Sequence, residues 1–277
     1  MSCWATRRGS LGRVDPSELL SRSRSFEQGA TAYEEYRPEF PDELFEMLST
    51  VSGNRLSQRV LEIGAGTGKA TLPLVVRGAL VDVVEPSAEM VGVLRQRLEA
   101  TGLSDRVHLR AERFEDVDPS ENYDVVVAAQ SFHWADPVSR WSRLASLLRP
   151  DGRAFLFWNG WALNPAELDL AAVAAAYDRW APALDPDIED HRGKVGWAEQ
   201  EVAAVADLEL ERVERFSWPW HLTTEDYLSL LATTSQYAVA PPTVRNGLFD
   251  ALREVLGERV LLDGRTLFLV VVPVLPR

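Results

Sequence analysis

Val60-Leu61-Glu62-Ile63-Gly64-Ala65-Gly66-Thr67-Gly68-Lys69 runs from apolar residues straight into three alternate glycines, a transition that few folds accommodate. Val60, Leu61 and Ile63 are strand formers. Gly64, Gly66 and Gly68 permit positive φ and let a ligand lie against bare backbone, so the stretch reads as a buried strand turning into a helix over about residues 69–77. The free amides of that helix would point at the ligand.

The spacing is Gly-x-Gly-x-Gly, not the Gly-x-Gly-x-x-Gly of dinucleotide folds, and an acid, Glu62, stands two residues before the first glycine. A carboxylate at that strand end repels a pyrophosphate and suits a cation, such as the ammonium of a methionine moiety or a sulfonium. A second acid, Glu85, closes the next apolar run, Ala79 to Val84, where it can accept hydrogen bonds from both hydroxyls of a ribose. These residues, with Pro86 and Ser87 behind them, resemble the class I S-adenosylmethionine-dependent methyltransferases. The resemblance implies S-adenosylmethionine as cofactor and S-adenosylhomocysteine as product, with Glu62, Gly64, Ala65, Gly66, Gly68, Glu85 and Pro86 holding it. The same spacing and Glu62 disfavour a nicotinamide oxidoreductase.

Upstream, Phe26, Ala30, Tyr33 and Tyr36-Arg37-Pro38-Glu39-Phe40-Pro41 resemble the amino-terminal segment of a bacterial and fungal methyltransferase group that includes trans-aconitate methyltransferase-like proteins, with Phe40 replacing the usual second tyrosine. In that group the segment lies across the cofactor. This implies that Tyr33 and Arg37 reach its methionine end, an arginine suiting a carboxylate through its planar donor fork. The alternative is an amphipathic packing helix with Arg37 in solvent. Residues 1–24, with five arginines among serines and glycines, read as a flexible extension, and 25–277 as the methyltransferase domain.

Downstream the text alternates strand and helix. Residues 41–50 and 87–101 read as helices, the second capped by Ser87 and stopped by Gly102; residues 107–111 read as a third strand. Arg113 and Phe114 follow it, where many relatives carry an aspartate that reads adenine; Arg113 takes that place here, leaving the backbone of both residues and the Phe114 ring to meet the base. Tyr123 to Ala129 is almost wholly apolar, as a central parallel strand requires. Ligands lie beyond the carboxyl ends of such strands, which puts Gln130 at the cofactor and His133-Trp134 at a methyl acceptor. A helix over 141–148 and a strand over 153–158 complete the alternation, which argues a doubly wound parallel sheet.

Helices are expected over 164–180, 196–206, 224–231 and 242–256, an edge strand over 208–216 and a last strand over 265–274. The resemblance makes these two strands an antiparallel pair. The expected fold is therefore α/β: a Rossmann-like, seven-stranded, mostly parallel sheet with an antiparallel last strand, a cofactor half over about 25–160, and a helical cap with the last strands over about 161–277.

Composition narrows the function. A net charge of -13 and pI near 4.9 oppose binding to a long polyanion, so no nucleic acid is expected as partner. A single cysteine, Cys3, and four histidines without ligand spacing predict no metal. No apolar run reaches membrane-spanning length and no signal-peptide core follows Met1, so a cytoplasmic monomer or homodimer with no membrane partner is expected.

Methyl transfer needs an acceptor placed in line and kept from water. For a phenol or alcohol acceptor, His133 is the candidate general base; a carboxylate acceptor needs none, and His133 is then a hydrogen-bonding or stacking wall residue beside Trp134. Trp158, Trp161, Trp180, Trp197, Trp218 and Trp220 are candidates to line an apolar pocket or fill the core, and Arg179 and Arg192 to meet an anionic acceptor. The leading reading is methylation of a small molecule, an organic acid or another specialised metabolite, by O-methylation. A cofactor-assisted cyclisation or rearrangement and a non-catalytic binding protein are the alternatives.

Overall fold

Five apolar runs alternate with helices before residue 160, and that rhythm builds a parallel sheet. The computed structural model describes residues 30–188 and 196–274; the expected extension over 1–24, His191 and Arg192 lie outside them. Seven strands among the described residues form one sheet, in the order β3-β2-β1-β4-β5-β7-β6. They are β1 (Arg59–Ile63), β2 (Leu80–Val84), β3 (Val107–Arg110), β4 (Tyr123–Ala129), β5 (Leu148–Leu163), β6 (Leu208–Thr223) and β7 (Arg259–Pro273). Neighbours among β1 to β5 pair in parallel, while β7 runs antiparallel between β5 and β6. This is the Rossmann-like sheet that the sequence reading expected.

The central strand is buried on both faces. Val125 and Val127 join a core with Val60, Val83, Phe157 and the helix residues Leu44, Phe45 and Leu48, while Val126 and Ala128 join one with Leu61, Ile63, Leu156 and Trp141. A third core fills the cap, where Val173 and Tyr177 of one helix (Leu170–Trp180) meet Tyr227 and Leu231 of another (Thr224–Ala232) and Leu248 and Leu252 of a third (Pro242–Leu256). We label these α6, α8 and α10. The helices before them are α1 (Ala30–Tyr36), α2 (Asp42–Ser52), α3 (Thr71–Val76), α4 (Ala88–Thr101) and α5 (Arg140–Leu147); α7 (Gly196–Ala203) precedes β6, and α9 (Ser235–Ala238) follows α8.

The largest departures from the sequence reading are in the last three strands, all longer than expected. β5 extends to Leu163 because it pairs residue by residue with β7, up to Leu163 opposite Leu262. At its other end β5 begins at Leu148, ahead of the expected 153, and its pairing with β4 shifts register between Tyr123 and Val125. The last strand was expected from Arg265, yet Gly264 sits inside β7 opposite Trp218, where an added Cβ would lie 2.5 Å from the indole. The glycine makes room for the ring. The helix expected from Asn164 starts only at Leu170, capped by Asp169, since the Asn164 backbone amide bonds Leu261 O at 3.0 Å. The helix expected after the glycines is likewise shorter, beginning at Thr71. Among the described residues, no helix is long and apolar enough to cross a membrane.

Candidate active site

All three glycines of the loop have positive φ: +65° at Gly64, +58° at Gly66 and +89° at Gly68. Two are also enforced by packing, since a Cβ on Gly64 would lie 2.6 Å from Ser131 Cβ and one on Gly68 2.4 Å from Leu94 Cδ1. Gly66 differs, having nothing within 4 Å of an added Cβ. Its bare edge faces open space. Ala65 between them is buried in the core shared with α2 and β1.

Glu85 is tied to this loop from the end of β2. Its Oε2 accepts from the Gly66 amide at 2.9 Å and its Oε1 from the Ser87 amide at 2.9 Å, while Pro86 between Glu85 and Ser87 is exposed. Burial raises its pKa above the ordinary carboxylate value, and the two amides oppose that rise. Glu62, in β1, has no such support. It is buried, and neither carboxylate oxygen has a hydrogen-bond partner; the same is true of the nearby Thr67 and Thr71 hydroxyls. Burial pushes the Glu62 pKa up to about 7, the Thr71 hydroxyl favouring ionisation from outside good hydrogen-bond geometry and Glu85 opposing it. Leaving such a group without partners is costly, and a cation with N–H donors would relieve it.

α1 and the segment after it form a strap over the loop. Lys69, buried, donates to Glu34 O at 2.8 Å and to the Glu39 carboxylate at 2.8 Å, so one ammonium grips both ends of residues 34–39. Arg97 pairs with Glu34 at 2.8 Å and donates to Thr67 O at 3.0 Å. Tyr33 and Arg37 lie on this strap. The Tyr33 phenol has its pKa raised by burial, opposed by the Arg37 charge and reinforced by that of Glu85, which places all three within electrostatic reach. The Arg37 guanidinium lies 5.3 Å from the Tyr33 ring centroid and 5.4 Å from that of Trp161, and bonds the cap through Thr233 Oγ1 at 2.8 Å and Thr233 O at 3.0 Å. Lys69 and Arg97 escaped the sequence reading. A lysine directly after the third glycine was the available signal.

At the carboxyl end of β4, Gln130 has φ +58°, a left-handed conformation unusual for a non-glycine residue. Its side-chain amide is committed to Asn159, accepting from the Asn159 amide at 2.8 Å and donating to Asn159 O at 3.1 Å. Asn159 in turn donates to Glu39 O at 3.1 Å and accepts from Thr266 Oγ1 at 2.6 Å, so it joins β4, β5, β7 and the strap. Ser131 reaches back to Ile63 O, tying this end to the glycine loop. His133 follows in a short turn; its Nδ1 accepts from Trp158 Nε1 at 3.2 Å, and its ring lies 4.8 Å from Trp134.

The β3 end is adjacent, as the Glu85 amide bonds Arg110 O at 3.1 Å. There Arg113 is exposed and paired with Glu115 at 3.2 Å, while Phe114 is buried against Phe132 with Arg143 over its ring. The structure thus gathers the strand-end acids, glycines and strap. It does not bring Arg179, which is exposed at the end of α6 over Trp180. Of the tryptophans, Trp158 and Trp161 are buried, Trp197, Trp218 and Trp220 half-buried and Trp180 exposed. Among the described residues, no group of three His, Cys, Asp or Glu is placed to hold a metal ion.

Comparison with known proteins gives the family and the fold. The family described as a methyltransferase domain matches residues 60–152. An uncharacterized methyltransferase of Mycobacterium tuberculosis is 31% identical over 244 residues, covering 84% of this chain and 86% of its own. Among solved structures, a protein assigned as a type II methyltransferase of Anaeromyxobacter dehalogenans aligns with a TM-score of 0.60 at 23% identity, over 87% of this chain and all of its own. A phosphoethanolamine N-methyltransferase of Haemonchus contortus, in complex with S-adenosylhomocysteine, aligns with a TM-score of 0.51 at 17% identity, over 94% of this chain and 61% of its own.

Proposed function

This chain belongs to the class I S-adenosylmethionine-dependent methyltransferases, and we propose that it methylates an oxygen of a small organic molecule, an organic acid or another specialised metabolite. The observation that carries the cofactor half is the buried Glu62 carboxylate with no protein partner, one strand away from the doubly held Glu85. Glu62 suits the ammonium of the cofactor, Glu85 its ribose hydroxyls, and the backbone of Gly64 to Gly68 its length. Tyr33 and Arg37 close over the methionine end. Gln130, its amide already spent, contributes main chain, and the backbone at Arg113 and Phe114 flanks the adenine. When bound, S-adenosylmethionine supplies a methyl group already activated on a sulfonium.

A small acceptor is supported by the roof. The strap is fastened to the cap through Arg37 and Thr233 and to the sheet through Lys69 and Asn159, which encloses the site from two sides. His133 at the end of β4 is the side chain we place beside the acceptor. The chain's job is then to orient the acceptor and exclude water.

Calorimetric titration with S-adenosylmethionine and S-adenosylhomocysteine tests the cofactor site: binding of about micromolar order is expected, lost in Glu85→Ala. Absence of binding to the intact protein would overturn the assignment. Mass spectrometry of organic-acid and phenol panels then reads the reaction, and the expected product is heavier by one methyl group. A product of unchanged mass would instead mean a rearrangement.

A further inference from the structure

Gln130 leaves β4 with a φ of +58°, and its side chain continues the ladder that its backbone abandons. Its main-chain amide still donates to Phe157 O at 2.8 Å. One step further its carboxamide, which offers an acceptor and a donor as a peptide does, takes the Asn159 amide at 2.8 Å and gives to Asn159 O at 3.1 Å. The Asn159 backbone thus serves β4, and its side chain is left for other partners. Both ends of a short chain fix how that side chain is turned. The Trp218 indole can only donate, and gives its hydrogen to Thr266 Oγ1 at 3.3 Å; the Thr266 hydroxyl gives its own to Asn159 Oδ1 at 2.6 Å. At the other end Glu39 O can only accept, so Nδ2 faces it at 3.1 Å. A reversed amide would set oxygen against oxygen at the strap. Asn159 and Thr266 are both buried, where a polar group without its partner is costly.

We infer that Asn159 is a positioning residue: its side-chain amide holds the strap down over the cofactor, while its backbone, through Gln130, sets the strand end that carries His133. This rests on the methyltransferase reading of the site. In an in-line displacement the methyl carbon on one wall and the acceptor atom on the other must meet at a fixed separation. A residue fastened to both walls sets that separation without touching either reactant. Lys69 grips the same strap through the Glu39 carboxylate, but from the glycine loop. Asn159 grips it from β5, where the Phe40 ring also meets Phe157 edge-on at 4.8 Å.

Asn159→Asp probes one atom and needs no acceptor. The new carboxyl still accepts from Thr266, and the backbone bonds to Gln130 are untouched. Ionised, it turns an oxygen on Glu39 O; protonated, it donates there as the amide did. The quantity to read is the S-adenosylmethionine release rate of the variant divided by that of the intact protein, from stopped-flow displacement. Glu39, Lys69, Arg37, Glu62 and Glu85 are common to both proteins, so their titration leaves the ratio. It should be about 10-fold at about pH 8 and fall to near one by about pH 5, as the buried carboxyl regains its proton. Asn159→Leu has no donor at any pH and should stay about 10-fold faster throughout. A ratio equally raised at both pH values in Asn159→Asp marks a merely structural loss and overturns the inference, as does release at the intact rate in Asn159→Leu. Intact-like release of Asn159→Asp at both pH values, with Asn159→Leu fast, supports it, since an acid that stays protonated keeps the bond. S-adenosylmethionine that fails to bind the intact protein sinks the methyltransferase site and this inference with it; binding with Asn159→Leu unmoved sinks this inference alone. With an acceptor found in the panels, Gln130→Met, which keeps the chain length and loses the amide, should lower kcat by about 10–100-fold; an unchanged kcat would remove the link to β4.

Discussion

The glycine loop and the cap both bury polar side chains, and they treat them in opposite ways. In the cap those groups answer one another: the Tyr177 and Tyr237 hydroxyls share a hydrogen bond, and Asp187 accepts from Trp161 Nε1 at 2.8 Å and from the Tyr227 hydroxyl at 3.4 Å. Burial, with the Asp187 charge, raises the pKa of Tyr177 and Tyr227, so both phenols stay neutral. At the loop, Glu62, Thr67 and Thr71 are buried with no partner. A buried unsatisfied group costs about 1–3 kcal/mol, and three of them on one strand-loop-helix unit support the ligand site proposed there. Among the described residues, no cap side chain is left in that state.

Paired glycine substitutions press hardest on this contrast. Gly64→Ala combines a left-handed φ of +65° with a Cβ 2.6 Å from Ser131, and is expected to remove about 2–5 kcal/mol of stability together with measurable S-adenosylmethionine binding. Gly264→Ala meets Trp218 at 2.5 Å with no such φ, so about 1–3 kcal/mol should go while affinity stays within about 3-fold in the surviving folded protein. Urea melts and calorimetry on both variants decide it. Equal loss of cofactor affinity in the two would erase the distinction between the regions.

Charge gives the next test. Glu62→Gln keeps the shape and removes the buried carboxylate; affinity for S-adenosylmethionine should fall about 10–100-fold while the free protein becomes more stable at pH 8. Tyr237→Phe breaks the cap's Tyr–Tyr bond and should lower stability by about 1–2 kcal/mol without touching affinity. The sign at Glu62 follows from its raised pKa of about 7 against an ordinary value of 4.5. Between those values the folded protein holds a proton that the unfolded chain has lost, so stability falls as pH rises through that window, by about 3 kcal/mol in all, and is flat below it. A bound cation reverses the penalty, so affinity should rise over the same range. Melting curves from pH 4.5 to 8, with and without S-adenosylmethionine, should show this slope in the intact protein and a shallower one in Glu62→Gln, where the raised Glu85 still contributes in the same direction.

What could be read from the sequence divides along the same line. The place of strand β1, the glycines, Glu62 and Glu85 in the fold was legible because each stands out among a few neighbours: apolar run, positive φ, acid at a strand end. Asn159 was invisible, since its partners lie 29, 107 and 120 residues away and nothing local distinguishes it from any strand asparagine. The lengths of β5, β6 and β7 were underestimated for a related reason. Their outer halves exist because they pair with each other, and Gly264, a residue with no strand preference of its own, is a packing requirement of Trp218 on another strand. Arg37 stood out within its motif, but its bond to Thr233 spans 196 residues, so its fastening to the cap could not be read.

The smallest effect concerns how the two regions are fastened together. Lys69 is 8% exposed and grips the strap at Glu34 O and Glu39, whereas Arg253 in the cap pairs with Glu225 at 2.6 Å with both side chains largely in water, 44% and 66% exposed. Distance alone would rank the cap pair higher. Burial ranks it lower, because an exposed pair is screened and pays the entropy of two long side chains, contributing about 0–1 kcal/mol. Lys69→Met retains the apolar stem and loses the grip, leaving Arg97 as the remaining cation on Glu34. Tyr33 and Arg37 ride on that strap, so the loosened segment should weaken S-adenosylmethionine by about 5-fold, equivalent to about 1 kcal/mol, mainly through faster release. Arg253→Gln should leave both affinity and release rate unchanged. Stopped-flow displacement of bound cofactor separates the two, and a release rate in Lys69→Met equal to that of the intact protein would mean that Arg37, Arg97 and Asn159 hold the strap without Lys69.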